Sequence, residues 1–324
     1  MLTIVLISCG NKSGSGKDNI GPVQDTKTTE SNVPVFNADS AYTYVDKQVS
    51  FGPRVPNTAA HKACADYLAA ELKRHGAKLY VQEMNLTAYN GTNLEARNII
   101  GSYNPESTKR ILLFAHWDTR PYADHDPDEN NYHTPIDGAD DGGSGVGVLL
   151  EIARQLGQKA PDVGIDIIFF DAEDYGEPEF DKSHKEDTWC LGTQFWARNP
   201  HQRDYRADFG ILLDMVGTKN ATFFKEYYSV KYAARYMELV WQTARDLGFG
   251  RFFINAQGGS LIDDHLYVNT LRRIPSLNIV NYNSENKKGF GDYWHTVDDT
   301  MENIDRETLG AVGQTVMHVI YNYK

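Results

Sequence analysis

An α/β domain of three layers is what this sequence predicts: a central twisted sheet, mostly parallel or mixed, with helices on both faces. Three observations point there. Two runs, Ile111-Leu112-Leu113-Phe114-Ala115 and Ile165-Asp166-Ile167-Ile168-Phe169-Phe170, are almost continuously apolar, as central strands covered on both faces require. Amphipathic helical stretches alternate with such runs through most of the chain. The length of 324 residues gives one large domain an ample core.

The elements follow in order. Residues 37–49 read as a helix, with Asn37 or Asp39 as its cap. Phe51-Gly52-Pro53-Arg54-Val55-Pro56-Asn57 is a rigid turn. Residues 58–75 form an amphipathic helix with the stripe Ala60, Cys64, Tyr67, Leu68 and Leu72; Cys64 fits that buried stripe and reads as inert. Strands are expected over 78–88, 96–103 and 110–117. A helix over 144–157, a strand over 165–170 and a short helix over 192–198 come next. A strand over 209–215, a long helix over 230–247, a strand over 274–282 and a last helix over 306–323 complete the pattern.

Composition excludes several classes. The net charge of -12 argues against nucleic acid, which selects basic surfaces. No apolar run reaches the ~20 residues that span a bilayer. Cys9, Cys64 and Cys190 show no paired spacing, which argues against a disulfide framework or a cysteine-bound zinc. Leu6-Ile7-Ser8-Cys9 resembles a bacterial lipoprotein signal, although no Lys or Arg precedes it. The expected organisation is therefore a signal over 1–9, a flexible tether over 10–35 rich in Gly, Ser, Asn, Lys and Thr, and a single domain over 36–324. The expected address is the bacterial cell envelope, as a periplasmic lipoprotein touching the membrane only through a lipid on Cys9.

The chemistry gathers around Gly138-Ala139-Asp140-Asp141-Gly142-Gly143-Ser144-Gly145. Two carboxylates sit there in a turn too rich in glycine to pack a core, and the turn opens a helix. Each apolar strand then ends in an acid or a histidine: His116-Trp117-Asp118, Asp171-Ala172-Glu173-Asp174, and Asp214. Tyr293-Trp294-His295-Thr296 stands near the C-terminus, with Asp298 and Asp299 after it. Active sites of such sheets lie at the carboxyl ends of the strands. His116, Asp141, Asp174, Asp214 and His295 would converge on one crevice, where buried like charges repel unless a cation joins them. Mixed His and carboxylate ligands suit zinc. Glu173, adjacent to Asp174, points elsewhere and suits a general acid or base facing the substrate.

Taken together, these segments resemble the co-catalytic zinc aminopeptidase superfamily, which includes the animal-type glutaminyl cyclases. The resemblance runs from about Ala41 onward, through Phe51-Gly52-Pro53-Arg54-Val55-Pro56, His116-Trp117-Asp118, Gly138-Ala139-Asp140-Asp141, Asp171-Ala172-Glu173-Asp174-Tyr175-Gly176, Leu213-Asp214-Met215-Val216-Gly217 and Trp294-His295-Thr296. It implies a zinc exopeptidase-like fold. For a cyclase it implies one zinc on Asp141, Asp174 and His295, with Glu173 moving the proton and Asp214 and Asp263 supporting it. The implied reaction cyclises an N-terminal glutamine to pyroglutamate with loss of ammonia, on peptides or proteins with free N-termini. For the alternative, a two-zinc aminopeptidase, it implies that Asp141 bridges, with His116 and Asp214 on the second metal. Trp294 before His295, Leu261-Ile262-Asp263-Asp264-His265 and Leu271-Arg272-Arg273-Ile274-Pro275 resemble the cyclase branch. Trp294 and Trp189 are the expected aromatic walls for substrate. Asp174 stands where the animal cyclases carry glutamate.

Other features read more plainly. The loop 120–137, with Asp124, Asp126, Asp128 and Glu129, reads as solvated, or alternatively as an acidic rim that attracts an amine. His125, His133, His184 and His201 lie in polar stretches and are expected at the surface. His265 is expected as a hydrogen-bond partner behind the site rather than a ligand. Cys190 is either reactive or buried. A non-catalytic peptide or carbohydrate binder is the third class, but a binder has no use for Glu173 alongside a full ligand set.

Overall fold

The computed structural model describes residues 32–183, 185–284 and 289–324. The signal expected over 1–9, with Cys9, lies outside the described residues, as do most of the tether expected over 10–35 and His184. In chain order the elements begin with α1 (Ala38–Val49), α2 (Ala59–Arg74), β1 (Lys78–Thr87), β2 (Asn93–Tyr103) and β3 (Arg110–His116). They continue with α3 (Gly143–Gln158), β4 (Gly164–Phe170), α4 (Leu191–Arg198), β5 (Phe209–Asp214) and β6 (Phe223–Lys225). The last are α5 (Tyr227–Asp246), β7 (Phe253–Gln257), α6 (Asp264–Tyr267), β8 (Ser276–Val280) and α7 (Arg306–Asn322).

The main sheet has the order β1-β2-β4-β3-β5-β8. β3 lies parallel to β4 and β5, and β5 parallel to β8; β2 joins β4 antiparallel, and β1 joins β2 antiparallel. The three-layer mixed sheet expected from the sequence is therefore present. Every residue of β3, β4 and β5 is buried. Strand residues alternate between faces, so Ile111, Leu113 and Ala115 join the layer containing α1, α2, α3, α5 and α7. Leu112 and Phe114 point the other way, onto Trp196 of α4 and Val268. Covering both faces is what makes these runs continuously apolar.

Helix ends obey local chemistry. Asn37 caps α1 by accepting from Ser40 N–H, and Thr58 caps α2 by accepting from His61 N–H. α5 starts at Tyr227, earlier than residue 230, because the Glu226 carboxylate accepts from Tyr228 and Ser229 N–H; glutamate is not a cap that sequence alone announces. The β6–β7 ribbon, α6 and the π-helical stretch Val268–Arg272 fall outside the expected elements. They are too short to show a period.

The first turn of α3 lies directly on β5. A Cβ on Gly145 would overlap the carbonyl oxygen of Leu213 and touch Ala115 Cβ. Backbone cannot retreat as a side chain does. Gly145→Ala should lower stability by about 1–3 kcal/mol or more, read as a drop in the thermal midpoint, with metal affinity falling as α3 is pushed off the sheet.

Candidate active site

Because β3, β4 and β5 run parallel, their carboxyl ends share one edge. His116 closes β3, Asp171 follows β4 and Asp214 closes β5. The chain then turns sharply. Ala172 (φ 52°) and Met215 (φ 49°) adopt left-handed backbone, and so does His295 (φ 52°). Such residues hold strain that the surrounding structure must sustain, and they cluster at functional sites. Gly142 (φ 81°) supplies the matching bend before α3.

Two triads meet at Asp141. His116 Nε2 lies 3.0 Å from Asp141 Oδ1 and 3.4 Å from Asp214 Oδ1. His295 Nε2 lies 3.5 Å from Asp141 Oδ2 and 3.3 Å from Asp174 Oδ1. In each triad one donor atom per residue falls within 4.8 Å of the others. All five side chains expected from the sequence are thus brought together and buried.

Carboxylates behind the triads hold their backbone. Asp299 accepts from Asp140 N–H (2.9 Å) and Asp141 N–H (3.0 Å). Asp118 accepts from Glu173 N–H (3.0 Å) and Asp174 N–H (3.2 Å). Asp124 takes both Arg120 Nε and Nη2 at 2.6 Å, and its Oδ1 stands 3.5 Å from His295 Nδ1. Arg54, wholly buried, donates to the carbonyls of Asp137 and Gly138 just before the Asp140-Asp141 turn. These positioning roles were not read from the sequence. The only signal was that acids accompany each motif, at Asp118 and Asp299. Asp299→Ala should leave two buried N–H groups without their acceptor, and metal affinity should fall about 10–100-fold, measured by competition with a chelating dye.

Several expectations need correction. The loop 120–137 is not simply solvated, since Arg120, Asp124 and Asp126 are buried while Asp128 and Glu129 are exposed. Asp126 accepts from Val297 N–H, which ties the loop to the His295 segment. His125 is not a surface residue but a wall of the site, its ring 4.3 Å from that of Trp294. His201 is half-buried and accepts from Trp196 Nε1–H, whereas His133 is exposed. His265 is a hydrogen-bond partner, but to Glu226 (2.9 Å), not to a ligand. Cys190 is buried; its thiol donates to Glu173 Oε1 at 3.1 Å, and burial pushes its pKa well up, keeping it protonated.

The cavity at this edge has a volume of about 220 Å³. Glu173, Asp263, Trp189, Trp294 and Phe290 line it, together with Asp141, Asp174, Asp214 and His295. Asp263 accepts from Asn278 Nδ2–H (2.6 Å), and one oxygen of Asp263 lies within 4.8 Å of Glu173 and Cys190 donor atoms. The Trp189 ring parallels that of His295 and carries the Arg120 guanidinium 4.5 Å from its centre.

Electrostatics show why the cluster suits a cation. Burial pushes Asp174 up to about 6, helped by the facing Asp141. Asp214 also reaches about 6, through burial and then Asp141 against the His116 bond. Asp263 reaches about 7 through burial and Asp214. Burial opposes charge on Asp141 too, yet His116, His295 and Arg120 hold it below its ordinary value. Burial, then Asp174, Asp264 and Asp263, lift Glu173 well above the carboxylate range. Neither oxygen of the buried Asp174 carboxylate, nor Nδ1 of His295, makes a hydrogen bond among the described residues. An unbonded buried carboxylate is costly. A divalent ion bound by two carboxylates and an imidazole removes both costs, so the donor set fits zinc.

Fold and site together define a metal-dependent α/β enzyme of the exopeptidase type. The profile of peptidase family M28 matches residues 98–320, and the chain belongs to that family. Among solved structures, a Zn-dependent exopeptidase from Parabacteroides distasonis is 70% identical (TM-score 0.89, covering 90% of this chain and 99% of that one). Tannerella forsythia glutaminyl cyclase is 68% identical (TM-score 0.89, 90% of this chain and all of that one). Among curated proteins, bovine glutaminyl-peptide cyclotransferase is 27% identical over 256 residues, 70% of this chain and 66% of that protein. The chain spans 58% and 66% of the length of the curated relatives first matched.

Proposed function

We propose that this chain cyclises the N-terminal glutamine of peptides and proteins to pyroglutamate, releasing ammonia. Asp141, Asp174 and His295 would hold one zinc ion. His116 Nε2 hydrogen-bonds Asp141 at 3.0 Å, but His116 Nδ1 and Asp214 Oδ1, like the Asp174 carboxylate, make no hydrogen bond among the described residues, so the second triad has donor atoms for a metal as well. The 68% identity to a glutaminyl cyclase is the observation that favours cyclisation over aminopeptidase action.

A bound zinc supplies Lewis acidity to the side-chain amide of the glutamine. The chain supplies the rest. Glu173 is more basic than an ordinary carboxylate and lines the cavity beside Asp174. It takes one proton from the α-amine as that nitrogen bonds the amide carbon. The same proton passes to the departing amide nitrogen, which leaves as ammonia. Asp214 and Asp263, near neutral pKa, stabilise the transferred positive charge. Trp294 and Trp189 flatten the cavity around a small side chain and exclude water that would divert the reaction to hydrolysis.

The test is mass spectrometry of a peptide with a free N-terminal glutamine, with zinc counted per chain. Loss of one ammonia, with no residue removed and one zinc bound, supports cyclisation. Release of the first residue, extending to leucine or alanine peptides with two zincs, establishes the aminopeptidase instead. No change in any peptide turns the reading to a binder. The proposal includes a lipid on Cys9 and a place in the bacterial cell envelope. None of the described helices is long and apolar enough to cross a membrane. Labelling with a palmitate analogue, lost in Cys9→Ser, checks the anchor.

A further inference from the structure

The active site occupies the carboxyl edge of the sheet. At the opposite edge, the segment before β5 and the segment before β8 enclose a second cavity of about 600 Å³. Arg203, Arg206, Arg272 and Arg273 line it, with Asp204 as its one acid. This is unexpected in a protein of charge -12. Elsewhere Arg74, Arg97, Arg110, Arg120, Arg154, Arg251 and Arg306 each have a carboxylate within 4 Å, while Arg54, Arg198, Arg235 and Arg245 stand apart from one another without such a partner among the described residues. None of the four cavity arginines has such a partner among the described residues.

The two segments are fixed together rather than gathered by chance rotamers. Arg272 donates to the Tyr205 carbonyl, and Tyr205 O–H donates to Asp166 Oδ2 at 2.8 Å inside the core. Arg273 sits in left-handed backbone (φ 60°), which aims two consecutive arginines differently. Arg272 Nε is shielded from solvent and makes no hydrogen bond among the described residues. The positive field is felt nearby: burial, then Arg110 and Arg272, lower the His201 imidazole to about 4. Guanidinium groups left without carboxylates in a concave, polar setting match the planar, multidentate needs of phosphate oxygens.

We infer that this cavity binds a phosphorylated anion, its oxygens held by Arg203, Arg206, Arg272 and Arg273, at a site remote from and independent of the catalytic edge. The phosphate chemistry is common to a soluble phosphoester and to an anionic lipid headgroup, and the experiment separates them. Full-length protein, wild type and Arg203→Glu/Arg206→Glu, is titrated calorimetrically with tripolyphosphate at low salt. In parallel both are sedimented with phosphatidylcholine vesicles lacking or containing phosphatidylglycerol. Both substituted positions are exposed, so the fold should persist, and unchanged turnover of a glutamine peptide reports that. The expected result is saturable binding that weakens by about tenfold or more in the double variant. Loss confined to tripolyphosphate identifies a soluble ligand. Loss of the phosphatidylglycerol-dependent sedimentation identifies a headgroup. Absence of binding in both arms, or equal binding by wild type and variant, overturns the inference.

Discussion

Glu173→Gln lowers turnover of an N-terminal glutamine peptide by roughly 10²–10⁴-fold, the usual worth of a positioned proton carrier, while zinc content stays the same. The amide fills the same volume and keeps an oxygen that can accept from the Cys190 thiol. It has no basic carboxylate to take the proton. Because Glu173 is adjacent to Asp174 but belongs to neither ligand triad, metal binding serves as the internal control. Stopped turnover with lost zinc would mean that the variant disturbs Asp174. Full turnover with zinc retained would remove Glu173 from the proton path.

Asp141→Asn abolishes zinc retention and activity together, and it also weakens the metal-free protein. Asp141 is the one residue shared by both triads. It also raises the pKa of Asp174 and Asp214 by repulsion. Removing its charge relieves that repulsion but also deprives His116, His295 and Arg120 of the carboxylate they hold below its ordinary pKa, and the second effect is the larger. A ligand that binds only the folded state stabilises it by RT ln(1 + [L]/Kd). The wild type should therefore gain thermal midpoint on adding zinc, whereas Asp141→Asn should show a lower metal-free midpoint and no gain. A variant that still gains midpoint with zinc would show instead that Asp141 is not a ligand.

How far the sequence carried the site follows from where each residue lies. His116, Asp141, Asp174, Asp214 and His295 were legible because polar groups at the ends of continuously apolar strands stand out against the run before them. The strands were legible for the same reason. Asp118, Asp299 and Arg54 were legible as residues but not as supports. Each acts on backbone groups of a distant turn, and such pairing depends on loop geometry that no period encodes. The loop 120–137 misled because its charge suggested solvent. Arg120 pairs with Asp124 within the loop, and Asp126 reaches Val297, so the same acids become buried structure. His125 was misplaced with it.

The bonds from Asp299 to the Asp140-Asp141 turn span 159 and 158 positions. This separation orders events during synthesis. A ribosome delivers the α3 turn, both acidic strand ends and His116 long before His295 and Asp299 emerge. Until then the half-built pocket holds Asp141, Asp174 and Asp214 without the imidazole that completes one triad or the carboxylate that pins the turn. On the proposed ligand set of Asp141, Asp174 and His295, metal capture would therefore wait until the chain has been made at least through His295, late in its synthesis.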